Sequence, residues 1–368
     1  MTADQTKTPI RVLFIKTGLD AAELDLIRQL HNHGVFIKVI CWASGTSLDF
    51  LEKEEILINP VRKKGKFDVP FICQIRSVVK QFDINLIHAT DSTALANAIW
   101  ATYFTNVKII AYRGTSARIR KTDPTYWLGA LHPKVSLTFC VSKSVYQYMK
   151  TRLPEHKLRL NYKGFDPSWI NVESPQPADF PKLPEDRFIG IFLGSSAGRP
   201  HKGLEILIKA FHQLNDTKNI LIVLGNSSPE AERLASEGPA HQRIFLIGRV
   251  KNATDWLCHA DLYIQPSLGR EGLPRSVKEA MAAALPIIIT DIPGPTELIE
   301  HEKSGLVIEA GNADALTQAW ERMASDAHLR QRLGVNAKTR LIEKFSPEAF
   351  FQNTLMAYHD VLHIDPNA

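Results

Sequence analysis

The sequence predicts an α/β protein built from two doubly wound domains with parallel sheets. Three observations carry this. Short β-branched runs alternate with helical stretches along most of the 368 residues, as expected of parallel βα units. The length suits two domains, or one large one. The alternation breaks once, around residues 160–169, ahead of a Pro-rich polar stretch at 173–186, and then resumes.

Taken in order, residues 10–15 read as a first strand and residues 21–32 as an amphipathic helix that Gly34 ends. Residues 35–42 resume as strand. Further strands are predicted at 84–88, 108–112 and 137–141, with helices between them. After the break a second series is predicted at 187–194, 220–225, 243–248, 261–265, 286–290 and 305–309. Two helical patterns close the chain, 327–344 and 347–362, where Ser346 suits an N-cap and Pro347 the first helical position. The expected organisation is a first domain at 1–165, a second at 166–345, and a last segment, 346–368, whose helix crosses back to the first. Ligands of such sheets bind beyond the carboxyl ends of the strands. Two facing domains would therefore place a ligand in a cleft between them.

Composition excludes several classes. Hydrophobic residues make up 44% and charged residues 23%, so disorder and simple coiled coil are excluded. The longest apolar runs fall far short of the ~18–20 residues that span a bilayer, and residues 1–9 carry no signal-peptide pattern. Four scattered cysteines read as buried thiols in a reducing compartment. The expected location is the cytosol. The net charge of +5 is uneven: residues 1–165 hold 24 Lys and Arg against 13 Asp and Glu, and the remainder 20 against 26. A basic first half suggests an anionic partner there. Clusters at 62–66 and 113–121 supply much of that charge. They read either as solvated loops or as a means of meeting anionic headgroups at a membrane. Aromatics do not interleave these clusters, which argues against nucleic acid.

Several chemistries are absent. No G-x-G-x-x-G follows the first strand, and neither a P-loop nor an H-E-x-x-H occurs. No Asp-x-Asp pair suggests a dedicated metal. Gly194, Ser196 and Gly198 match G-x-S-x-G after a strand, but a nucleophile elbow needs a helix at once. Here Arg199, Pro200 and His201 continue as loop.

The most informative stretch is residues 266–291, PSLGREGLPRSVKEAMAAALPIIITD. A strand ends at Gln265, a loop follows, and a helix is predicted to begin with Pro274 at its first position. Helix N-termini favour phosphate. Glu271 lies before this helix and Glu279 within it, too far apart to share one group but placed to accept hydrogen bonds from two sets of sugar hydroxyls. Both also read as solvated surface residues. The small apolar run after Glu279 implies a closely packed helix, in which that carboxylate needs a partner.

Glu271-Gly-Leu-Pro and Glu279-Ala-Met-Ala resemble the E-x(7)-E segment of the retaining glycosyltransferases of family 4. The resemblance continues through residues 286–291, Gly294 and Glu297, through residues 202–211 and 260–267, and into the closing helix. It covers most of 187–363; over 10–165 it is mainly architectural. It implies a GT-B fold of two facing Rossmann-like domains, a UDP-, GDP- or ADP-sugar donor, retention of configuration, and no required metal or other cofactor.

The resemblance also implies roles. Glu271 would bind the donor sugar's hydroxyls and Glu279 the ribose. Gly272, Leu273 and Pro274 would line the diphosphate or sugar, with Gly194 beside them and Val250 in the base-reading loop. Lys202 matches the phosphate-binding lysine. The arginine that the family places five or six residues earlier is absent, Ala197 and Ser196 standing there, so Arg199 is expected to serve. Glu271, Lys202 and Arg199 form the expected catalytic set. In the first domain, Gly18 stands where the family has a glycine-rich turn. Arg113 follows the 108–112 strand where a histidine is frequent, and is expected on the acceptor side. His88, at its own strand's end, reads as a second acceptor-side residue or as a core histidine. Lys163 replaces the asparagine of the family's "NG.D" linker. The implied acceptor is a cell-envelope or lipid-linked glycan, such as lipopolysaccharide core, anionic in character. A nucleotide-sugar 2-epimerase of the same fold and a non-catalytic sugar-nucleotide-binding protein are the rival readings.

Overall fold

The structure, a computed structural model, describes residues 9–44, 48–61, 65–115, 124–127 and 129–364. The chain divides into two compact units, Met1–Gly164 with Pro347–Ala368, and Phe165–Ser346.

The first unit runs β1 (Arg11–Leu19), α1 (Ala21–Asn32), β2 (Phe36–Ser44), α2 (Asp49–Lys53), β3 (Leu57–Ile58), α3 (Val69–Gln81), β4 (Leu86–Ala89), α4 (Ser92–Thr102), β5 (Lys108–Arg113), α5 (Pro124–Trp127), β6 (Leu137–Cys140), α6 (Lys143–Lys150) and β7 (Leu158–Leu160). Its seven parallel strands lie in the order β3-β2-β1-β4-β5-β6-β7, so the winding reverses between β1 and β4. Alternation along β1 feeds two cores. Val12 and Phe14 face α1, while Leu13 and Ile15 face α3 and α4. Side-chain caps start the major helices: Asp20 for α1, Asp68 for α3, Asp91 for α4 and Ser142 for α6.

The second unit runs β8 (Phe188–Leu193), α7 (Leu204–His212), β9 (Asn219–Leu224), α8 (Pro229–Glu237), β10 (Ile244–Gly248), α9 (Ala253–Leu257), β11 (Leu262–Gln265), α10 (Arg275–Ala282), β12 (Ile287–Thr290), α11 (Pro295–Leu298), β13 (Leu306–Ile308), α12 (Ala313–Ser325) and α13 (Ala327–Lys344). Its six parallel strands lie in the order β10-β9-β8-β11-β12-β13, and the winding reverses between β8 and β11. Trp320 of α12 anchors the core. Its ring occupies the space a side chain on Gly190 would need, since a Cβ there would lie 2.1 Å from it, and its Nε1 donates to Asn219 Oδ1 at 2.7 Å. The last helix, α14 (Pro347–Leu362), belongs to the first unit, where Phe351, Ala357 and Tyr358 enter the core beside α1.

The structure departs from expectation locally. Two strands, β3 and β7, were not predicted; both are short sheet edges, and β7 lies where the alternation breaks. Cys41 and Cys140 are buried, but Cys258 is half-buried and Cys73 exposed. Among the described residues no helix is long and apolar enough to cross a membrane.

Candidate active site

The carboxyl edge of the second sheet gathers most of the predicted donor residues at its winding reversal, between β8 and β11. Such a reversal leaves a crevice at the strand ends. Three adjacent strands end in glycines. The Gly194 N–H donates to Leu224 O at 2.9 Å and the Gly225 N–H to Gly248 O at 2.7 Å. Gly225, at φ +115, lies so near that a Cβ would sit 2.4 Å from Gly194 O. Val250 follows Gly248, half-buried. The hydrolase elbow is excluded: Ser196 is fully buried, its Oγ accepts from Ser228 N at 3.1 Å, and α7 begins only at Leu204.

The loop carrying Glu271 is clamped on both sides. Leu268 N donates to His201 O at 2.7 Å. Gly203, at φ +73, presses on Pro266, where a Cβ would lie 1.9 Å from the carbonyl oxygen. Gly294, at φ +104, presses on Gly272, with a corresponding distance of 2.0 Å. Only glycine tolerates both the conformation and the approach. Thr290 Oγ1 donates to Ser267 O.

This clamp brings together residues 69 positions apart in sequence. Lys202 Nζ lies 2.8 Å from Glu271 Oε1. The same oxygen accepts from Ser267 Oγ at 2.8 Å, and behind it Gln265 Nε2 donates to Ser267 Oγ at 2.7 Å. Tyr263 OH and Ser276 Oγ both donate to Gln265 Oε1, at 2.6 and 3.2 Å. Tyr263, Gln265 and Ser267 are fully buried. Every hydrogen bond to Glu271 thus arrives at Oε1, and among the described residues none reaches Oε2. Sequence reasoning missed this network, although Gln265, a polar side chain at the end of an otherwise apolar buried strand, was its signal.

Glu279 is buried in α10, and the partner it needs is Arg275, one turn earlier on the same helix, whose Nε donates to Oε1 at 2.7 Å. Pro274 is the N-cap of α10 and not its first helical residue; the helix begins at Arg275. Gly272 and Pro274 are buried and Leu273 half-buried. Arg199 is exposed and starts the short turn Pro200–Lys202.

The first-unit expectations fare differently. Gly18 makes no turn: β1 runs on to Leu19, and Gly18 pairs with Ala43 inside the sheet. The α1 N-terminus behind it is filled by the chain's own carboxylates, since Asp20 and Glu23 form a capping box. Lys16 binds Glu23, while Lys163 binds Asp20 and lies 3.0 Å from Glu23. Burial disfavours the Lys163 charge, but Glu23, Tyr112 and Asp20 outweigh it and raise its pKa.

His88 is no acceptor-side residue. It is 1% exposed, packed between Phe14 and Phe139, and its Nδ1 pairs with the Tyr358 hydroxyl at 2.8 Å. Burial, aided by Lys16, pushes its pKa down to about 3. Arg113 ends β5 and lines a cavity of about 90 Å³ with Lys66, Asp91, Ser92, Tyr126 and Thr138. Burial lowers its pKa. Most of the two basic clusters, residues 62–64 and 116–121, lies outside the described residues.

Two family models match end to end. Residues 176–340 match the model described as Glycosyl transferases group 1, and residues 21–169 the model described as Glycosyltransferase Family 4. The chain belongs to the group 1 glycosyltransferases. A phosphatidyl-myo-inositol mannosyltransferase of Mycobacterium leprae is 23% identical over 78% of this chain and 76% of the relative. A lipopolysaccharide core biosynthesis glycosyltransferase of Rhizobium meliloti is 28% identical over 46% of this chain and 48% of the relative. The chain spans about half the length of several curated relatives it matches. Among solved structures, Anabaena HepE, in complex with UDP, superposes with a TM-score of 0.76 at 18% identity, covering 95% of this chain and 100% of that one. The expected two-domain, Rossmann-like GT-B fold is thereby borne out, and both family models are of glycosyltransferases, as expected.

Proposed function

We propose that this glycosyltransferase moves a hexose-type sugar, with retention, from a nucleotide-sugar to a cell-envelope or lipid-linked glycan. The observation that carries the reading is the Lys202–Glu271 pair at the winding reversal of the second sheet. As the sugar leaves, the diphosphate gains negative charge, and Lys202 and Arg199 supply the neutralising cations, so no metal is required. Glu271 offers Oε2 to the sugar's hydroxyls and Glu279 a carboxylate to the ribose, while Gly194, Val250, Gly272, Leu273 and Pro274 line the donor. The complex of HepE with UDP supports UDP as the first nucleotide to try. Relatives in lipopolysaccharide core and mannosyl-lipid synthesis support the acceptor class. Arg113, beside its cavity, is the side chain for an anionic acceptor group, and a peripheral position on the cytoplasmic membrane face follows from a lipid-linked one.

The test is thermal-shift screening with UDP, GDP, ADP and their common sugars, wild type against Glu279→Ala. A ligand at about 100 times its dissociation constant adds about 2.7 kcal/mol of stability. A shift with one nucleotide that shrinks in the variant supports the site; no shift with any of them removes it. Turnover of the shifting donor with and without acceptor, in buffer containing chelator, then separates transfer from acceptor-free epimerisation and from binding alone. Activity lost to the chelator and restored by a divalent ion overturns the metal-free step.

A further inference from the structure

Large aromatic side chains are not left in water as a contiguous group unless something covers them. In the first unit four of them form one ladder. Phe67, just before α3, meets Trp100 of α4 edge to face with ring centroids 5.4 Å apart. Trp100 stacks on Tyr103 at 6.2 Å, and Tyr103 meets Phe104 edge to face at 5.0 Å. Trp100 alone roots in the core beneath α3 and α4. The outer rings are open: Phe67 is 64% exposed, Tyr103 49% and Phe104 91%.

The surround is cationic. Arg76 of α3 donates to the carbonyl oxygens of Trp100 and Ala101, both at 3.1 Å, and Lys134 donates to that of Thr105. A positive charge is thus held on either side of Tyr103 and Phe104. Lys66, next to Phe67, is exposed. No acidic residue occurs between Asp91 and Asp123. The single acid between Gly65 and Phe82, Asp68, is buried as the cap of α3.

We infer that this aromatic ladder is the face by which the protein lies on an anionic lipid surface. Its rings sit at headgroup level, and the flanking lysines and arginine meet lipid phosphates. Aromatic rings favour that depth because one side of it is apolar and the other wet, and basic side chains add attraction to anionic leaflets. The inference deepens the proposed function, resting on its reading of a membrane-held acceptor. Its test uses no sugar transfer.

The full chain is sedimented with vesicles of phosphatidylcholine alone and of phosphatidylcholine with phosphatidylglycerol. Binding to the anionic vesicles only, weakened by salt, is the expected result. Tyr103→Ser with Phe104→Ser should lower the partition by about tenfold or more, since two apolar rings are lost from the interface. Lys66→Glu should lower it less. Both side chains are exposed, so the double variant keeps the wild-type melting temperature, which is checked first. Equal partition of wild type and double variant overturns the inference, as does failure to bind anionic vesicles. A dimer that forms without lipid and that the double variant dissolves also overturns it, because a second copy then covers the rings. Nucleotide-induced thermal shifts, run on the same samples, read the donor site alone, so either proposal can fail without the other.

Discussion

The Lys202 ammonium holds the Glu271 carboxylate at 2.8 Å, and that one oxygen also takes the Ser267 hydroxyl. On the proposed reading, a donor's diphosphate would compete with Glu271 for Lys202, and the sugar would meet a carboxylate already oriented from behind. If both partners act on the leaving group and sugar together, as proposed, their effects should not add. Lys202→Met and Glu271→Gln should each lower kcat/KM about 100-fold or more, on the order of 3 kcal/mol of transition-state stabilisation. The double variant should fall well short of the product of the two. A double-mutant cycle on kcat/KM checks this, and simple multiplication of the two losses contradicts the pairing.

Ser267 donates to Glu271 Oε1 at 2.8 Å, so on the proposed reading it would act on the substrate through Glu271. Ser267→Ala removes one of the hydrogen bonds that fix Oε1 and leaves Gln265 Nε2 short of its partner, at a cost of about 1 kcal/mol. The expected result is a several-fold weaker KM for the nucleotide-sugar with the affinity for the free nucleotide unchanged. Titration of the two ligands by calorimetry distinguishes this from general loosening, which would weaken both alike.

Gly294 shapes the site by having no side chain. At φ +104, with Gly272 O only 2.0 Å from where a Cβ would stand, Gly294→Ala must push the Glu271 loop away from its clamp. Strain and clash together should cost about 2 kcal/mol or more of stability, with donor affinity falling alongside. Urea unfolding and nucleotide titration measure the two losses. A variant that binds donor normally would show that the loop does not depend on this contact.

How far the sequence reached depends on how local each signal is. The ends of α1, α13 and α14 were legible because Gly, Ser and Pro mark helix boundaries within a turn. The two- and three-residue edge strands β3 and β7 were not, since so few residues carry no periodicity. Gly18 was misplaced because the first strand was ended at residue 15 with its apolar run, whereas pairing with β2 carries it on to Leu19. Glu271, Glu279 and Lys202 were legible as motif positions, and Arg275 as the partner of Glu279 follows from helical spacing. The wire from Tyr263 through Gln265 to Ser267 was not, because it depends on which way a buried strand end points. The position of His88 was the least accessible: its partner lies 270 residues away on the last helix.

That histidine makes the stability of the first unit depend on pH. His88 is buried against Phe14, Phe139 and Tyr358, and among the described residues its Nε2 has no hydrogen-bond partner. Burial first, and Lys16 second, hold its folded pKa at about 3, below an unfolded value of about 6.5. The unfolded chain therefore takes up a proton between these values that the folded chain refuses. The stability contribution is complete above about pH 6.5 and is lost as pH falls toward 3, at up to about 1.4 kcal/mol per pH unit. Between pH 7 and pH 5 the loss should be about 2 kcal/mol. His88→Asn loses packing at every pH but has no imidazole to titrate, so its stability should fall less steeply over that interval. Urea unfolding of both proteins at pH 7, 6 and 5 checks the difference in slope. Parallel curves would mean that His88 binds its proton as readily in the fold as outside it.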